Sequence, residues 1–117
     1  MSDHNQKIGA WGESVATEYL EKRGSVIIAR NARTPYGEID IVSEKDGITI
    51  FVEVKTRTSN SFGPPEISVT PRKQEHMWAA AEHYAQENEI DHWQIDVIAV
   101  EGKLNAVPKI THFENAI

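Results

Sequence analysis

The chain has 117 residues, no cysteine and a formal net charge of −6. This length predicts a single domain over residues 1–117 with a substantial hydrophobic core. The lack of cysteine excludes disulfides, thiolate metal sites and cysteine nucleophiles. The sequence contains neither an apolar run of membrane-spanning length nor a signal-peptide core, so we expect a cytoplasmic protein that does not enter a membrane.

Charge is unevenly distributed along the chain. The overall acidity argues against a general nucleic-acid coat protein, which would be basic. Residues 22–73 nevertheless carry a balance of +3, whereas residues 1–21 carry −3 and residues 74–117 carry −6. The acidic stretch at residues 82–91 is typical of a solvated helix face.

The first half of the chain predicts one helix and three strands. Apolar residues at helical spacing predict a helix over about residues 5–23, which Gly24 would end. The stretch SVIIAR (25–30) is typical of a short strand, and NARTPYG (31–37) of a loop. GEIDIVSEKDGITIFVEVK (37–55) predicts two strands joined by a turn at Asp46-Gly47.

The second half predicts a loop, a helix and two strands. The stretch 58–69 is rich in Gly, Pro and Ser, and is either a substrate-side or dimer-side segment or a packed surface loop. Thr70 and Pro71 suit the N-cap and first position of a helix reaching about residue 88. Strands follow at 92–101 and 104–113, and Pro108 suggests that the last strand lies at a sheet edge. The predicted fold is therefore α/β, in the order α-β-β-β-α-β-β, with a mixed central sheet.

The register of the hairpin can be predicted from its turn. If Asp46 and Gly47 form the loop, Lys45 faces Ile48, and a slip by one residue would mix apolar and charged positions on both faces. The predicted cross-strand pairs are Ile39–Val54, Ile41–Val52 and Ser43–Ile50 on one side, and Val42–Phe51, Asp40–Glu53 and Glu38–Lys55 on the other.

This register places two carboxylates opposite each other. At about 5 Å they would repel by on the order of 3 kcal/mol at an effective dielectric near 20. Three explanations remain open: the site is well solvated, one carboxylate is protonated, or a cation lies between them. Mg²⁺ often uses only one or two protein carboxylates. Lys55 lies two residues after Glu53 and therefore points to the same face.

A third carboxylate is a candidate member of this group. Gly9, Gly12 and Ala16 form a flank of small residues on the first helix, which would let the helix approach a sheet or a ligand closely. Glu13 lies at the edge of that flank. It could reach Asp40 and Glu53 if the helix packs on their face of the hairpin.

These residues resemble a known constellation. Glu13, Asp40 and Glu53-Val54-Lys55 are similar to the PD-(D/E)xK nuclease motif, with Ile39 at the position of its proline. GAWGESVATEYLEKRG, RNART, GEIDIV, FVEVKTR and DVIAV resemble, across nearly the whole chain, the YraN family of small uncharacterised bacterial proteins. That family is similar in fold to archaeal Holliday-junction resolvases. The resemblance implies a restriction-endonuclease-like core, a metal-dependent endonuclease and often a homodimer, with Glu13, Asp40, Glu53 and Lys55 at the active site.

Several other residues have two interpretations. Asp96 either supports the site from a neighbouring strand or is a hydrogen-bonded strand-end carboxylate. Lys73 either contacts phosphate or is an exposed lysine. Three arginines are phosphate contacts or surface charges: Arg30, Arg33 and Arg57. The histidines show no metal-ligand spacing, which disfavours a zinc site.

The resulting hypothesis is metal-dependent hydrolysis of phosphodiester bonds, in DNA rather than RNA and in a structured or branched form. Mg²⁺ or Mn²⁺ would be held by Asp40, Glu53 and the carbonyl of Val54, with Glu13 binding directly or through water, and would activate a water molecule. Lys55 would orient or deprotonate that water. The alternatives are a nucleic-acid-binding module without turnover and a subunit that binds another protein.

Overall fold

A five-stranded sheet with a helix on each face forms the core of the protein. The computed structural model describes residues 2–58 and 70–117, and of residues 2–5 only the backbone. Its elements are α1 (Ser2–Lys22), β1 (Val26–Thr34), β2 (Gly37–Lys45), β3 (Ile48–Arg57), α2 (Pro71–Glu87), β4 (Trp93–Glu101) and β5 (Lys109–Phe113). The strands lie side by side in chain order, β3 and β4 are parallel, and the other neighbouring pairs are antiparallel. The predicted α/β class and element order are confirmed, and the architecture is consistent with a restriction-endonuclease-like core.

Each face of the sheet has its own apolar cluster, as expected when helices cover both sides. On one face α1 packs against residues of β2, β3 and β4, and its buried members include Leu20, Val52 and Ile98. On the other face α2 packs alanines against Phe51 and Ile95. In the described residues, neither helix is both long and apolar enough to cross a bilayer.

The small residues of α1 let this helix lie directly on the sheet. Gly12 and Ala16 are buried. A Cβ at Gly12 would overlap Oγ1 of Thr56 on β3 and lie 2.9 Å from its Cγ2. Of the flank predicted from sequence, Gly12 allows the close contact between α1 and β3, whereas an added Cβ at Gly9 would have no atom within 4 Å.

β1 is longer than predicted, and of the predicted loop 31–37 only Pro35 and Tyr36 lie outside a strand. The stretch NART continues β1 and pairs with the start of β2 up to Thr34 opposite Gly37. The turn-forming residues Asn31, Pro35 and Gly37 favour a loop locally, but pairing with β2 overrides them, and the strand contains Asn31 with a left-handed φ of 52°. Thr34 then closes the turn, since its Oγ1 donates to the Gly37 carbonyl at 2.7 Å and accepts from the Tyr36 N–H at 3.1 Å.

The β2–β3 hairpin has the predicted turn and register over half its length. Asp46 and Gly47 both have positive φ, and the paired residues run from Lys45–Ile48 to Ile41–Val52. Beyond Ile41–Val52 no further pair of the two strands is in register. Ile39 belongs to the cluster under α2, whereas Val54 packs against the cluster under α1, so the predicted Ile39–Val54 pair is wrong. The two strands separate there, and their side chains no longer alternate in step.

The remaining elements match the sequence with small shifts. The Thr70 hydroxyl accepts from the Lys73 N–H at 3.2 Å and Pro71 begins α2, so the predicted cap is confirmed. β5 is an edge strand, as expected, but it starts at Lys109, because Pro108 cannot donate a ladder hydrogen bond. Of the predicted loop 58–69, residues 59–69 lie outside the described residues, so the predictions for this loop stay predictions.

Candidate active site

Asp40 lies at the point where β2 and β3 separate, which we call the fork. Its Oδ2 accepts a 2.8 Å hydrogen bond from the backbone N–H of Val54. A side chain of β2 thus satisfies a β3 donor at the place where the backbone ladder has ended. On the other side of Asp40, the β1–β2 register brings the left-handed Asn31 opposite it, between the pairs Arg30–Ile41 and Ala32–Ile39. At Asp40, β1 therefore has a left-handed residue and β3 is no longer paired with β2 through its backbone.

The carboxyl groups of Asp40 and Glu53 are in direct contact at the fork. Burial raises the pKa of Asp40 to about 8, together with the hydrogen bond to Glu53 and the charge of Glu53, and against the opposing effect of the Val54 N–H. Asp40 therefore keeps its proton to a higher pH than an ordinary carboxyl group does. The raised pKa of Asp40 agrees with one of the three explanations that the sequence left open, a protonated carboxyl.

Two lysines lie beside the carboxyl pair. Lys73, in the first turn of α2, places Nζ 3.2 Å from Oε1 of Glu53. The pKa of Lys55 is lowered, first by its hydrogen bond with Lys73 and then by burial. For Lys73, burial favours the neutral form, but the hydrogen bond with Lys55 and the charge of Glu53 outweigh it and raise its pKa. The structure thus brings Lys55 and Lys73 together with Glu53, and Lys73 is a half-exposed lysine with a carboxylate partner.

Glu13 approaches the fork from the opposite face of the sheet. α1 covers the face of Val52 and Val54, whereas Glu53 faces α2, so the packing that would bring Glu13 onto the same face does not occur. Glu13 instead pairs with Arg30, with 3.8 Å between Oε1 and Nη2. Its charge still adds to the raised pKa of Asp40, so its carboxylate acts on the fork from a distance.

The other candidate phosphate contacts each pair with an acidic side chain. Arg33 is 88% exposed and its Nε lies 3.7 Å from Oε2 of Glu38. Arg57 Nη1 lies 3.9 Å from Oε2 of Glu101 at the far end of β3. A role for either arginine in binding nucleic acid remains a prediction.

Asp96 is a hydrogen-bonded structural carboxylate. It is fully buried and accepts from Gln94 Nε2 and from the Asn115 N–H, each at 2.8 Å. Its Oδ2 lies 2.7 Å from His112 Nε2, and Nδ1 of that ring lies 3.1 Å from the Tyr19 hydroxyl. Burial opposes ionisation, but the hydrogen bond with His112 and those from Asn115 and Gln94 outweigh it and lower the pKa of Asp96. These contacts favour the second of the two interpretations of Asp96.

An open cavity of about 390 Å³ begins at Glu53 and extends between the β1–β2 turn and α2. Tyr36 lies at one side of it, and Arg72, Lys73 and His76 at the other. Sequence reasoning assigned no role to Tyr36 or His76. The Thr70-Pro71 cap places Arg72 and Lys73 in the first turn of α2, but nothing local indicates that this turn faces the fork.

Comparison with known proteins identifies the family. A family model described as "Uncharacterised protein family UPF0102" matches residues 12–100, which include Glu13, Asp40, Glu53 and Lys55. The chain belongs to this family. It is the YraN family that the sequence motifs indicated.

The relatives align with this chain over nearly their whole length. A UPF0102 protein of Syntrophomonas wolfei is 44% identical, covering 96% of this chain and 98% of the relative. A UPF0102 protein of Geobacter metallireducens is 42% identical, covering 99% and 96%. A third, from Dehalococcoides mccartyi, is 38% identical, covering 100% and 98%. Their names state no activity.

The side chains at the fork of this UPF0102 chain suit a hard divalent cation. Among the residues described, no group of three Asp, Glu, His or Cys side chains is arranged to hold a metal ion. Two carboxyl groups in contact, Asp40 and Glu53, supply oxygen donors, and Mg²⁺ usually binds one or two carboxylates and keeps several waters. The donor set therefore fits Mg²⁺ or Mn²⁺ and does not fit zinc, which prefers nitrogen and sulfur ligands.

Proposed function

We propose that this protein is a metal-dependent endonuclease that hydrolyses phosphodiester bonds, with structured or branched DNA as its substrate. The observation that carries the proposal is the contact between the Asp40 and Glu53 carboxyl groups, with Lys55 beside them. A buried carboxyl with its pKa raised to about 8 is costly to keep, and such perturbed groups concentrate at functional sites.

Mg²⁺ or Mn²⁺ would be held by Asp40, Glu53 and the carbonyl oxygen of Val54, with Glu13 acting through water from the α1 side. When bound, the ion supplies Lewis-acid activation of water and neutralises charge on the phosphate. Asp40 must release its proton to take part, so occupation of the site should depend on pH. Lys73 is paired with Glu53, and it would contact a substrate phosphate if Glu53 held the ion.

Lys55 orients the attacking water and accepts its proton. The hydrogen bond with Lys73 and burial lower the pKa of Lys55, and this direction supports the role, because a lysine gives up its proton more readily when its pKa falls. After proton transfer its ammonium group offsets negative charge on the phosphate. Arg33 and Arg57 would hold the DNA backbone on either side.

The test is a cleavage panel of single-stranded, duplex, flap and four-way-junction DNA with Mg²⁺ or Mn²⁺. Wild type should cut at least one substrate, Asp40→Asn should not, and Lys55→Ala should bind metal but turn over far more slowly. Two results would replace the proposal. Binding of DNA without cleavage would indicate a binding module, and a stable protein complex with no affinity for nucleic acid would indicate an interaction subunit.

A further inference from the structure

The cavity beside Glu53 has the size and composition of a ligand site. Its volume of about 390 Å³ lies within the range of small-molecule pockets. It combines an aromatic ring, Tyr36, with the apolar Met77 and with the polar side chains of Arg72, Lys73 and His76. Glu53 is part of its wall, so a molecule bound there lies next to the fork.

Tyr36 lines this cavity from a hydrogen-bonded turn. Thr34 ties the turn through its hydrogen bonds to the Tyr36 N–H and the Gly37 carbonyl. The ring itself meets the edge of His83 on α2, with centroids 6.0 Å apart and planes at 65°. Its side chain is nevertheless 53% exposed, so a large part of the ring remains available to another aromatic group.

Electrostatics near the fork offer little affinity for a DNA backbone. Three of the basic side chains near it are paired with carboxylates: Arg30 with Glu13, Arg33 with Glu38 and Lys73 with Glu53. The chain also carries a net charge of −6. Affinity for nucleic acid rises with the number of phosphates that cations neutralise, so a substrate of this protein needs additional, non-ionic contacts.

We propose that this cavity binds one unpaired nucleobase of the strand that carries the scissile phosphate, with the base stacked on Tyr36. The inference rests on the proposed function and specifies its substrate: single strands, flaps or the unpaired bases at a branch. A base inside a duplex is stacked on both faces and cannot enter a cavity of this kind without leaving the helix. Base–aromatic stacking tolerates any sequence, so the site selects unpaired structure rather than a base sequence.

The test uses a short fluorescein-labelled single strand and the same strand annealed into a duplex, both with EDTA present so that nothing is cut. Tyr36→Leu removes the ring and keeps an apolar side chain, and Tyr36→Phe restores the ring. Trp78→Leu is the matched control, because Trp78 is an exposed aromatic on α2 that does not line the cavity. A 2-aminopurine base in the strand reports stacking directly, and thermal melts confirm that each variant is folded.

We expect wild type to bind the single strand more tightly than the duplex. Tyr36→Leu should lose roughly five- to hundredfold in affinity for the single strand, whereas Tyr36→Phe and Trp78→Leu should stay near wild type. 2-Aminopurine emission should fall on binding to wild type. Equal affinity of Tyr36→Leu and wild type, or unchanged 2-aminopurine emission in the complex, overturns the proposal.

The two proposals fail in different ways. If single strands bind through Tyr36 but no substrate is cut with Mg²⁺ or Mn²⁺, hydrolysis is wrong and the base site stands. If wild type cuts DNA and Tyr36→Leu cuts single strands equally well, the base site is wrong and hydrolysis stands.

Discussion

Asp40 and Val54 are joined across the fork, because the Val54 N–H donates to a side-chain carboxyl rather than to a backbone carbonyl. This single contact explains why β2 and β3 can separate without leaving a buried donor unsatisfied. It also holds Asp40 against Glu53, and the raised pKa follows from that position.

Asp40→Asn should remove a pH-dependent cost to stability. An amide keeps an acceptor for the Val54 N–H and carries no charge. In wild type the pKa of Asp40 is raised from near 4 in the unfolded chain to about 8 in the folded protein. The neutral carboxyl therefore stabilises the fold fully below pH 4, and this stabilisation is lost as the pH rises towards 8. The unfolding free energy of Asp40→Asn relative to wild type should therefore increase by about 1–4 kcal/mol between pH 5 and pH 8.

Urea denaturation at both pH values, without divalent ions, measures this difference. Asp40→Ala is the matched control, since it removes the charge and the acceptor together. It should be less stable than Asp40→Asn at either pH, because the Val54 N–H loses its partner. A stability difference between Asp40→Asn and wild type that stays constant with pH would show that Asp40 does not titrate in this range.

Divalent ions should stabilise wild type and not Asp40→Asn. A ligand that binds only the folded state adds about 3 kcal/mol at roughly one hundred times its Kd. Melting curves with and without Mn²⁺ provide the measurement. Asp46→Asn is the control, because Asp46 lies in the hairpin turn with a left-handed φ that asparagine tolerates. Equal Mn²⁺ stabilisation of Asp40→Asn and wild type would place the ion elsewhere.

Lys73→Met should tighten the binding of Mn²⁺. The ammonium group lies 3.2 Å from a Glu53 oxygen and competes with the ion for that carboxylate. Its removal should lower the midpoint of a Mn²⁺ titration roughly three- to thirtyfold, as expected for a partly exposed charge at this range. Lys22→Met serves as the comparison, since Lys22 pairs with Glu18 on the exposed surface of α1. Weaker Mn²⁺ binding by Lys73→Met would mean that Lys73 supports the site in another way.

Gly12→Ala and Gly9→Ala should change stability in opposite directions. A methyl group at Gly12 overlaps Thr56, so α1 must move away from β3, at about 1–3 kcal/mol. At Gly9 no atom lies within 4 Å of the added carbon, and alanine favours helix by about 0.5–1 kcal/mol. Urea denaturation of both variants distinguishes these outcomes. If both changes stabilise equally, α1 does not depend on close contact at Gly12.

Local chemistry made several features predictable from sequence. Asp46-Gly47 suits a tight hairpin turn, and the turn sets which residues face each other up to Ile41–Val52. Thr70-Pro71 caps α2 through local contacts, because the Thr70 hydroxyl accepts from the nearby Lys73 N–H and proline restricts its own φ. The closeness of Asp40 and Glu53 followed from the same register, although the backbone pairs end one step before them.

Three features required the tertiary structure: the raised pKa of Asp40, the Lys73–Glu53 pair and the position of Glu13. Each depends on burial or on contact between elements far apart in the chain, and no spacing within one segment encodes these. The left-handed backbone of Asn31 is a local feature of β1. It bears on the site only because β1 pairs with β2, which brings Asn31 opposite Asp40. Sequence periodicity determined which residues could form strands and helices here, because alternation and capping act between near neighbours. Packing decided which charges meet at the fork, because the free energy of a buried charge depends on every group folded around it.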